Sequence, residues 1–318
     1  MQKPKNRWTV ITVLALMSLP AMAAESFINI LTGGTSGIYY PIGVGLSTLY
    51  GKAVPEAKSS VQATKASVEN LNLLQNGRGE VALTLGDSLS QAWAGNEEVG
   101  FKQPLNKLRG ISAMYSNYVQ IVARADAGIK TLADLKGKRI SVGAVKSGTE
   151  LNARAVLGAA GIQYSDFAKV EYLPYAESVE LLKNRQIDIT LQSAGLGNPA
   201  LRDLATSIDV VFVPVPPEVI AKIGDKAYQN GKIPANTYKG QEKDVPTAAI
   251  QNFLVTHAGV STDQVYRMTK VMFENLDQLV AAHAAAKGIK LENAVASMPI
   301  PLHPGAEKYY REAGLIKK

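Results

Sequence analysis

Phe27-Ile28-Asn29-Ile30-Leu31-Thr32-Gly33-Gly34-Thr35-Ser36-Gly37-Ile38-Tyr39-Tyr40-Pro41 passes from a β-branched apolar run, through a turn rich in glycine and hydroxyls, into a segment that admits proline in its first turn. That is a strand, a loop and the start of a helix. Val142-Gly143-Ala144-Val145-Lys146-Ser147-Gly148-Thr149-Glu150 has the same form much later in the chain. In both stretches glycine lets a ligand approach the backbone, and the unpaired N–H groups of a helix start make an anion site. In the second, the Ser147 and Thr149 hydroxyls are expected to donate alongside the amides; a simple N-cap is the competing reading. Neither stretch is a nucleotide fingerprint, since the Gly-x-Gly-x-x-Gly spacing is absent and no Gly-Lys-Ser/Thr follows.

Outward from these two loops, β-branched runs alternate with Ala/Leu-rich helical segments, which predicts an α/β fold with parallel strands. Strands are expected at 27–31, 60–64 and 81–85, with a helix at 67–76. Two adjacent extended runs, 109–114 and 118–124, have no helix between them and are read as the crossing into a second lobe. There the pattern resumes with strands at 139–143, 170–173 and 187–191 and helices at 149–160 and 177–184. In 224–240 helix and strand signals both fail. A return strand at 246–257 precedes helices at 262–276, 277–287 and 306–312, the first capped by Ser261 with Gln264 completing a capping box. The expected organisation is residues 24–114 and 245–318 in lobe I and 115–244 in lobe II. Strands that cross twice between lobes make a hinge, and ligands bind in the crevice at the carboxyl ends of such strands.

The N-terminus carries Lys3, Lys5 and Arg7, an uncharged and mostly apolar stretch over 8–19, and Ala21-Met22-Ala23. This reads as a secretory signal peptide at 1–23, too short to span a bilayer as a helix, and it places the mature protein in a periplasm. No later stretch approaches ~18 consecutive apolar residues. Cysteine is absent, which excludes disulfides, thiol chemistry and a lipid-anchoring cysteine. The formal charge of +7 falls to +4 without Lys3, Lys5 and Arg7. This mild basic bias suits an anionic ligand, and no Lys/Arg block points to nucleic acid.

Weaker cleft candidates are Ser67-Val68-Glu69-Asn70, Gly86-Asp87-Ser88 and Gln192-Ser193-Ala194-Gly195, where Ser67 and Asp87 are also natural N-caps. No catalytic constellation is visible. The three histidines, His257, His283 and His303, are isolated, no Gly-x-Ser-x-Gly or His-Glu-x-x-His occurs, and a hydrolase built on Ser147 has no nameable base. No metal or cofactor is expected.

The stretches Gly33 to Pro41 and Ser147-Gly148-Thr149-Glu150, together with Pro301-Leu302-His303-Pro304-Gly305-Ala306 and Tyr309-Tyr310-Arg311-Glu312, resemble the TAXI family, the substrate-binding proteins of tripartite ATP-independent periplasmic (TRAP) transporters. The resemblance also takes in Leu132 to Lys138 and Val245 to Tyr266. It implies a two-lobe venus-flytrap fold, no enzymatic activity, a TRAP permease as membrane partner and a small carboxylate ligand such as glutamate or 2-oxoglutarate. By position it implies ligand contacts from Gly34, Thr35, Gly37, Ile38, Tyr39, Ser67 and Asn70 on one lobe and from Ser147, Gly148, Thr149, Gln192 and Ser193 on the other. Where the family reads Pro-Gly-Ser-Gly-Thr, this chain has Val145-Lys146-Ser147-Gly148-Thr149. Lys146 therefore either adds a cation to the cradle or points to solvent. A monomer is expected. A sensor domain with the same fold, and phosphate-like oxyanions in place of carboxylates, are the alternatives.

The exported protein is expected to begin at Ala24. Intact-mass measurement of the periplasmic fraction checks this; a species that retains Met1 to Ala23 contradicts it.

Overall fold

The computed structural model describes residues 26–317, so the expected signal peptide at 1–23 lies outside the described residues. The chain opens with β1 (Ser26–Leu31), α1 (Tyr39–Ala53), β2 (Ala57–Gln62), α2 (Ser67–Gln75), β3 (Val81–Leu85) and α3 (Gly86–Ala94). A long strand, β4 (Leu108–Arg124), leads to β5 (Arg139–Ser141), α4 (Gly148–Ala159), β6 (Lys169–Glu171), α5 (Tyr175–Lys183) and β7 (Ile189–Ala194). Then come α6 (Pro199–Ser207), β8 (Val210–Val213), α7 (Pro217–Ile223) and β9 (Tyr228–Ile233). A second long strand, β10 (Val245–His257), returns to α8 (Thr262–Glu274), α9 (Leu276–Ala282) and α10 (Pro304–Glu312).

The strand order is β2-β1-β3-β10-β4-β7-β5-β6, with β8 added to β4 and β9 to β10. On one side β1 pairs in parallel with β2 and β3; on the other β5 pairs in parallel with β6 and β7. The antiparallel pair β4 and β10 belongs to both groups. β10 pairs with β9 through Val245 to Ile250 and with β3 through Asn252 to Thr256. β4 pairs with β10 up to Tyr118 and with β7 from Tyr118 onward. The fold is thus a two-lobe α/β fold with two shared strands.

Each lobe covers both faces of its sheet, as parallel strands require. In lobe I, Ile28 and Ile30 of β1 pack under α1 and α8 while Leu31 joins a second cluster with Leu71, Leu89 and Phe253. In lobe II, Ile140, Val156 and Leu191 form one cluster and Val122, Leu182 and Leu201 another. The crossing strand β10 serves both lobes, with Leu254 in the lobe I core and Ala248 and Ile250 in the lobe II core.

Three local readings change. The extended runs at 109–114 and 118–124 are one continuous strand, because Ser116 and Asn117 pair with Gln251 and Ile250 and carry the ladder past an irregularity at the crossing. The proposed lobe boundary at 114/115 therefore falls inside β4, and that at 244/245 falls at the first residue of β10. The featureless stretch 224–240 contains β9, whose Gly231 has a packing reason: a Cβ there would lie 2.8 Å from Ala249 Cβ on the neighbouring strand. Ser261 caps α8 by accepting the Gln264 N–H at 3.1 Å, but the Gln264 side chain reaches Phe27 O at 3.4 Å, so the reciprocal half of the capping box is not made.

Two glycines of α1 should respond oppositely to alanine. Gly51 is exposed, with Ser59 Cβ 4.0 Å away as the nearest obstacle, and Gly51→Ala is expected to stabilise by about 0.5–1 kcal/mol through helix propensity. At Gly43 a Cβ would lie 2.4 Å from Thr32 Cγ2 beneath the helix, so Gly43→Ala is expected to destabilise by about 1–3 kcal/mol. Urea unfolding midpoints decide; a rise for both variants contradicts this packing of α1.

Candidate functional site

A cavity of about 120 Å³ lies between the lobes, comparable to cavities that accept benzene. Its walls are carboxyl ends of parallel strands and the helix starts that follow. Gly33 to Tyr39 leave β1, Thr64 to Ser67 leave β2, Ala144 to Thr149 leave β5, Pro174 and Tyr175 follow β6, and Leu85, Ser193 and Ala194 end β3 and β7. Tyr115 and Asn117 of β4 add a wall from the hinge; being two residues apart, they share one face of the strand.

Four helices, α1, α2, α4 and α5, begin at this cavity. Gly148 and Thr149 are the first two residues of α4 and Tyr39 and Tyr40 those of α1, positions whose N–H groups have no intrahelical acceptor. The positive ends of four peptide dipoles therefore meet at one space, and among the described residues no Asp or Glu lines it. Lys65 is the one lysine or arginine among the lining residues, and it is exposed. Two non-glycine residues at helix entries, Ala66 (φ 71°) and Lys146 (φ 64°), hold left-handed backbone, strain of the kind that accumulates at functional sites.

A hydrogen-bonded web runs around the cavity from lobe to lobe. The Tyr39 hydroxyl donates to Asn252 Oδ1. Asn252 donates to Tyr115 O and to Asn117 Oδ1 at 2.7 Å each, and Asn117 donates to Ser193 O at 2.8 Å. The Tyr175 hydroxyl also donates to Ser193 O at 2.8 Å and lies 2.6 Å from Thr149 Oγ1. Since the carbonyl can only accept, Tyr175 spends its proton there and Thr149 must donate to Tyr175. Thr149 thus keeps no hydroxyl proton for a ligand, only its backbone N–H. Ser147 differs: its oxygen accepts the Glu150 N–H at 3.1 Å, capping α4, and its own proton stays available. Burial pushes Tyr39 and Tyr115 well above the usual phenol range and Tyr175 up to about 12, so all three are neutral hydroxyls. The Tyr115 hydroxyl is buried and has no partner.

The lobes meet across the cavity. Glu69 N–H reaches Lys146 O at 3.3 Å, and Gly148 abuts lobe I so closely that a Cβ would lie 2.6 Å from both Leu85 Cδ1 and Ser67 Oγ.

Of the residues singled out from sequence, Gly34, Gly37, Ile38, Tyr39, Ser67, Ser147, Gly148, Thr149 and Ser193 line the cavity. Three do not. Thr35 is exposed on the outer side of its loop. Asn70 is buried inside lobe I, where it donates to Thr32 O and Leu83 O at 2.7 and 2.9 Å and stitches β1 to β3. Gln192 points away from the cavity into lobe II, where it accepts from Asn198 at 2.8 Å. The alternation of a strand explains this last case: Ser193 and Gln192 face opposite sides. Ser67 is not an N-cap, since its hydroxyl takes the Leu85 N–H at 3.1 Å, and Lys146 is exposed outside the lining. Sequence reasoning missed Lys65, Tyr115, Asn117 and Tyr175. Tyr175 had a signal, the Pro174 that opens α5 before the predicted start at 177; Tyr115 and Asn117 had none until the strand was known to cross. The histidines sit elsewhere, each accepting the N–H two residues ahead, at Gly259, Ala285 and Gly305, and desolvation lowers the pKa of all three.

The architecture matches periplasmic solute-binding proteins. PhnD1 from Prochlorococcus marinus, solved in complex with methylphosphonate, superposes with a TM-score of 0.60 at 11% identity, over 92% of this chain and 100% of that one. The binding component of an ABC phosphonate transporter from Pseudomonas aeruginosa gives 0.54 at 12% identity, over 84% and 80%. A putative L-cystine ABC transporter protein from Listeria monocytogenes gives 0.51 at 14% identity, over 83% and 98%. These likenesses show the fold. The family that matches the sequence is the NMT1-like family, over residues 30–314. This corrects the resemblance to TAXI proteins and with it the TRAP permease as partner. Glycine- and hydroxyl-rich strand–helix junctions recur wherever helix starts line a cleft between two α/β lobes, so those motifs do not single out the TAXI family. Because the match runs from the first buried strand to the end of the last helix, the chain belongs to the NMT1-like family.

Proposed function

We propose that the protein is the periplasmic solute-binding receptor of a membrane transporter and that it closes its two lobes over a small organic anion of the carboxylate class. The observation that carries this reading is the convergence of four helix N-termini on an interlobe cavity that, among the described residues, no acidic side chain lines. A helix end contributes roughly 0.3–1 kcal/mol toward an anion in exposed settings and up to ~2 when partly buried. Amides, the Ser147 hydroxyl and Lys65 supply the donors, and the apolar walls from Ile38, Leu85 and Ala194 suit a short carbon skeleton. Following the ABC-transporter proteins of like fold, the membrane partner is taken to be an ABC permease. Binding rather than catalysis fits a lining without histidine or carboxylate. A phosphonate is the second reading, favoured by the methylphosphonate bound to the Prochlorococcus protein.

A thermal-shift panel of pyruvate, succinate, methylphosphonate and methanesulfonate, with glucose and putrescine as controls, tests the proposal. An anion present at 100 times its Kd is expected to add about 2.7 kcal/mol of stability. Stabilisation by glucose or putrescine and by none of the anions would sink the reading. With the anion so identified, Ser147→Ala is expected to weaken binding roughly tenfold and to cost about 1 kcal/mol of stability, because it removes both a donor to charge and a helix cap. Gly148→Ala is expected to melt like the parent when unliganded but to bind roughly tenfold or more weakly, since the added methyl meets Ser67 and Leu85 only when the lobes close. Unchanged affinity for Gly148→Ala would contradict the closed geometry.

A further inference from the structure

Asp87 caps no helix. It is the second residue of α3 on lobe I, is 3% exposed, and its Oδ2 accepts from two lobe II groups, Asn152 Nδ2 at 2.6 Å and the Tyr228 hydroxyl at 2.8 Å. Those two donors lie 2.8 Å from each other. Asn152 in turn accepts from the Ser193 hydroxyl at 2.5 Å, and Ser193 is the cavity residue whose carbonyl gathers Asn117 and Tyr175. A continuous chain of hydrogen bonds therefore links a lobe I carboxyl to the ligand side of lobe II, and it exists only while the lobes are together.

Among the described residues no positive charge is paired with this carboxyl. The groups that face it are Ser88 on α3, Asn152 on α4, Tyr228 on β9, Asp225 just before β9, and more distantly Tyr39 on α1. Asp225 is acidic and the others are neutral. Parting the lobes removes both lobe II partners and opens the group to water, where an ionised carboxylate is at ease; bringing them together strips that water away.

We propose that Asp87 is a positioning residue that couples lobe closure to the uptake of one proton, holding Asn152 and through it Ser193 in place when the ligand is captured. This rests on the reading of the cavity as a ligand site closed by lobe motion. In the closed arrangement burial pushes Asp87 up to about 6, against donors that act in the opposite sense. With the lobes apart it returns toward about 3.9, the ordinary value. A group whose pKa is raised in one state favours that state wherever the proton is bound there and not in the other. Closure is therefore favoured as pH falls from about 6 toward about 4, and the gain is lost as pH rises through about 6. Between pH 7 and pH 5 the closed form gains about tenfold.

Small-angle scattering of the unliganded mature protein, read together with Trp93 emission from the same helix α3, tests this between pH 4.5 and 7.5. The parent should become more compact as pH falls through about 6, whereas Asp87→Asn, which keeps both acceptor contacts without the charge, should be compact at both ends. Tyr228→Phe, which removes one donor and leaves the carboxyl, should retain a pH step, and melting curves establish that each variant is folded. Superimposable pH profiles for the parent and Asp87→Asn overturn the proposal. Calorimetry with pyruvate and methanesulfonate, both fully ionised over this range, adds the binding arm. An affinity about tenfold higher at pH 5 than at pH 7 in the parent, and level in Asp87→Asn, is expected. If no anion binds at any pH, the anion reading fails while the scattering profiles still decide the role of Asp87.

Discussion

The antiparallel pairing of β4 with β10 is the constraint on which the rest of the molecule depends. Its register runs from Ala249 opposite Tyr118 to His257 opposite Leu108, with irregularities between Gln251 and Phe253 and between Leu254 and Val255. At that irregular centre Asn252 donates to Tyr115 O and Asn117 Oδ1 and receives the Tyr39 hydroxyl. The ladder is thus locked to lobe I at the point where β10 exchanges β9 for β3. A break in the regular ladder is where a strand bends most readily, and here it sits between two well-packed cores that resist deformation. The lobe closure proposed above would accordingly be confined to the few residues that also floor the cavity.

The cavity relies on dipoles and neutral hydroxyls in place of a buried countercharge. A desolvated ion pair carries a penalty of several kcal/mol per ion, which its mutual attraction offsets only in good geometry. Helix-start amides are already oriented and need no such desolvation of a charged side chain. Tyr39 and Tyr175 are committed to protein acceptors, so the polar wall is stiff before anything binds. The groups left with capacity include the first-turn amides, the Ser147 hydroxyl, Lys65 and, unpartnered among the described residues, the Tyr115 hydroxyl. Asp87 stands apart from this scheme as a buried carboxyl whose hydrogen-bond donors come from the other lobe, and the proposed coupling of its protonation to lobe contact follows from that placement.

Much of this was legible in the sequence because it is local. A β-branched run, a glycine-rich turn and a helix start are specified within a dozen residues or so, and this segment order puts the turn at the carboxyl end of a strand. Gly33 to Tyr39 and Ser147 to Thr149 could therefore be assigned to a cleft, and both segments line the cavity between the lobes. The absence of cysteine and the single-residue scatter of histidines narrowed the chemistry further. The motifs failed at a different level, in naming the transport class, because the physics of an anion cradle is shared by receptors that serve different permeases.

What the tertiary structure decided is how each polar group is spent. Asn70 and Ser67 look alike as helix-start residues, yet Asn70 is consumed in joining β1 to β3 while Ser67 stands at the cavity. Gln192 and Ser193 are neighbours, and only the register of β7 on β4 says which one faces the ligand. Thr149 commits its hydroxyl to a hydrogen bond with Tyr175 across 26 residues of sequence, and Asp87 finds Asn152 across 65 and Tyr228 across 141. Periodicity and turn chemistry act over a few residues, so the sequence by itself determined the strand–loop–helix units and their order. Long-range pairing of β4 with β10 fixed which face of each strand looks inward, and so decided the residues of the site and the carboxyl shared between the lobes.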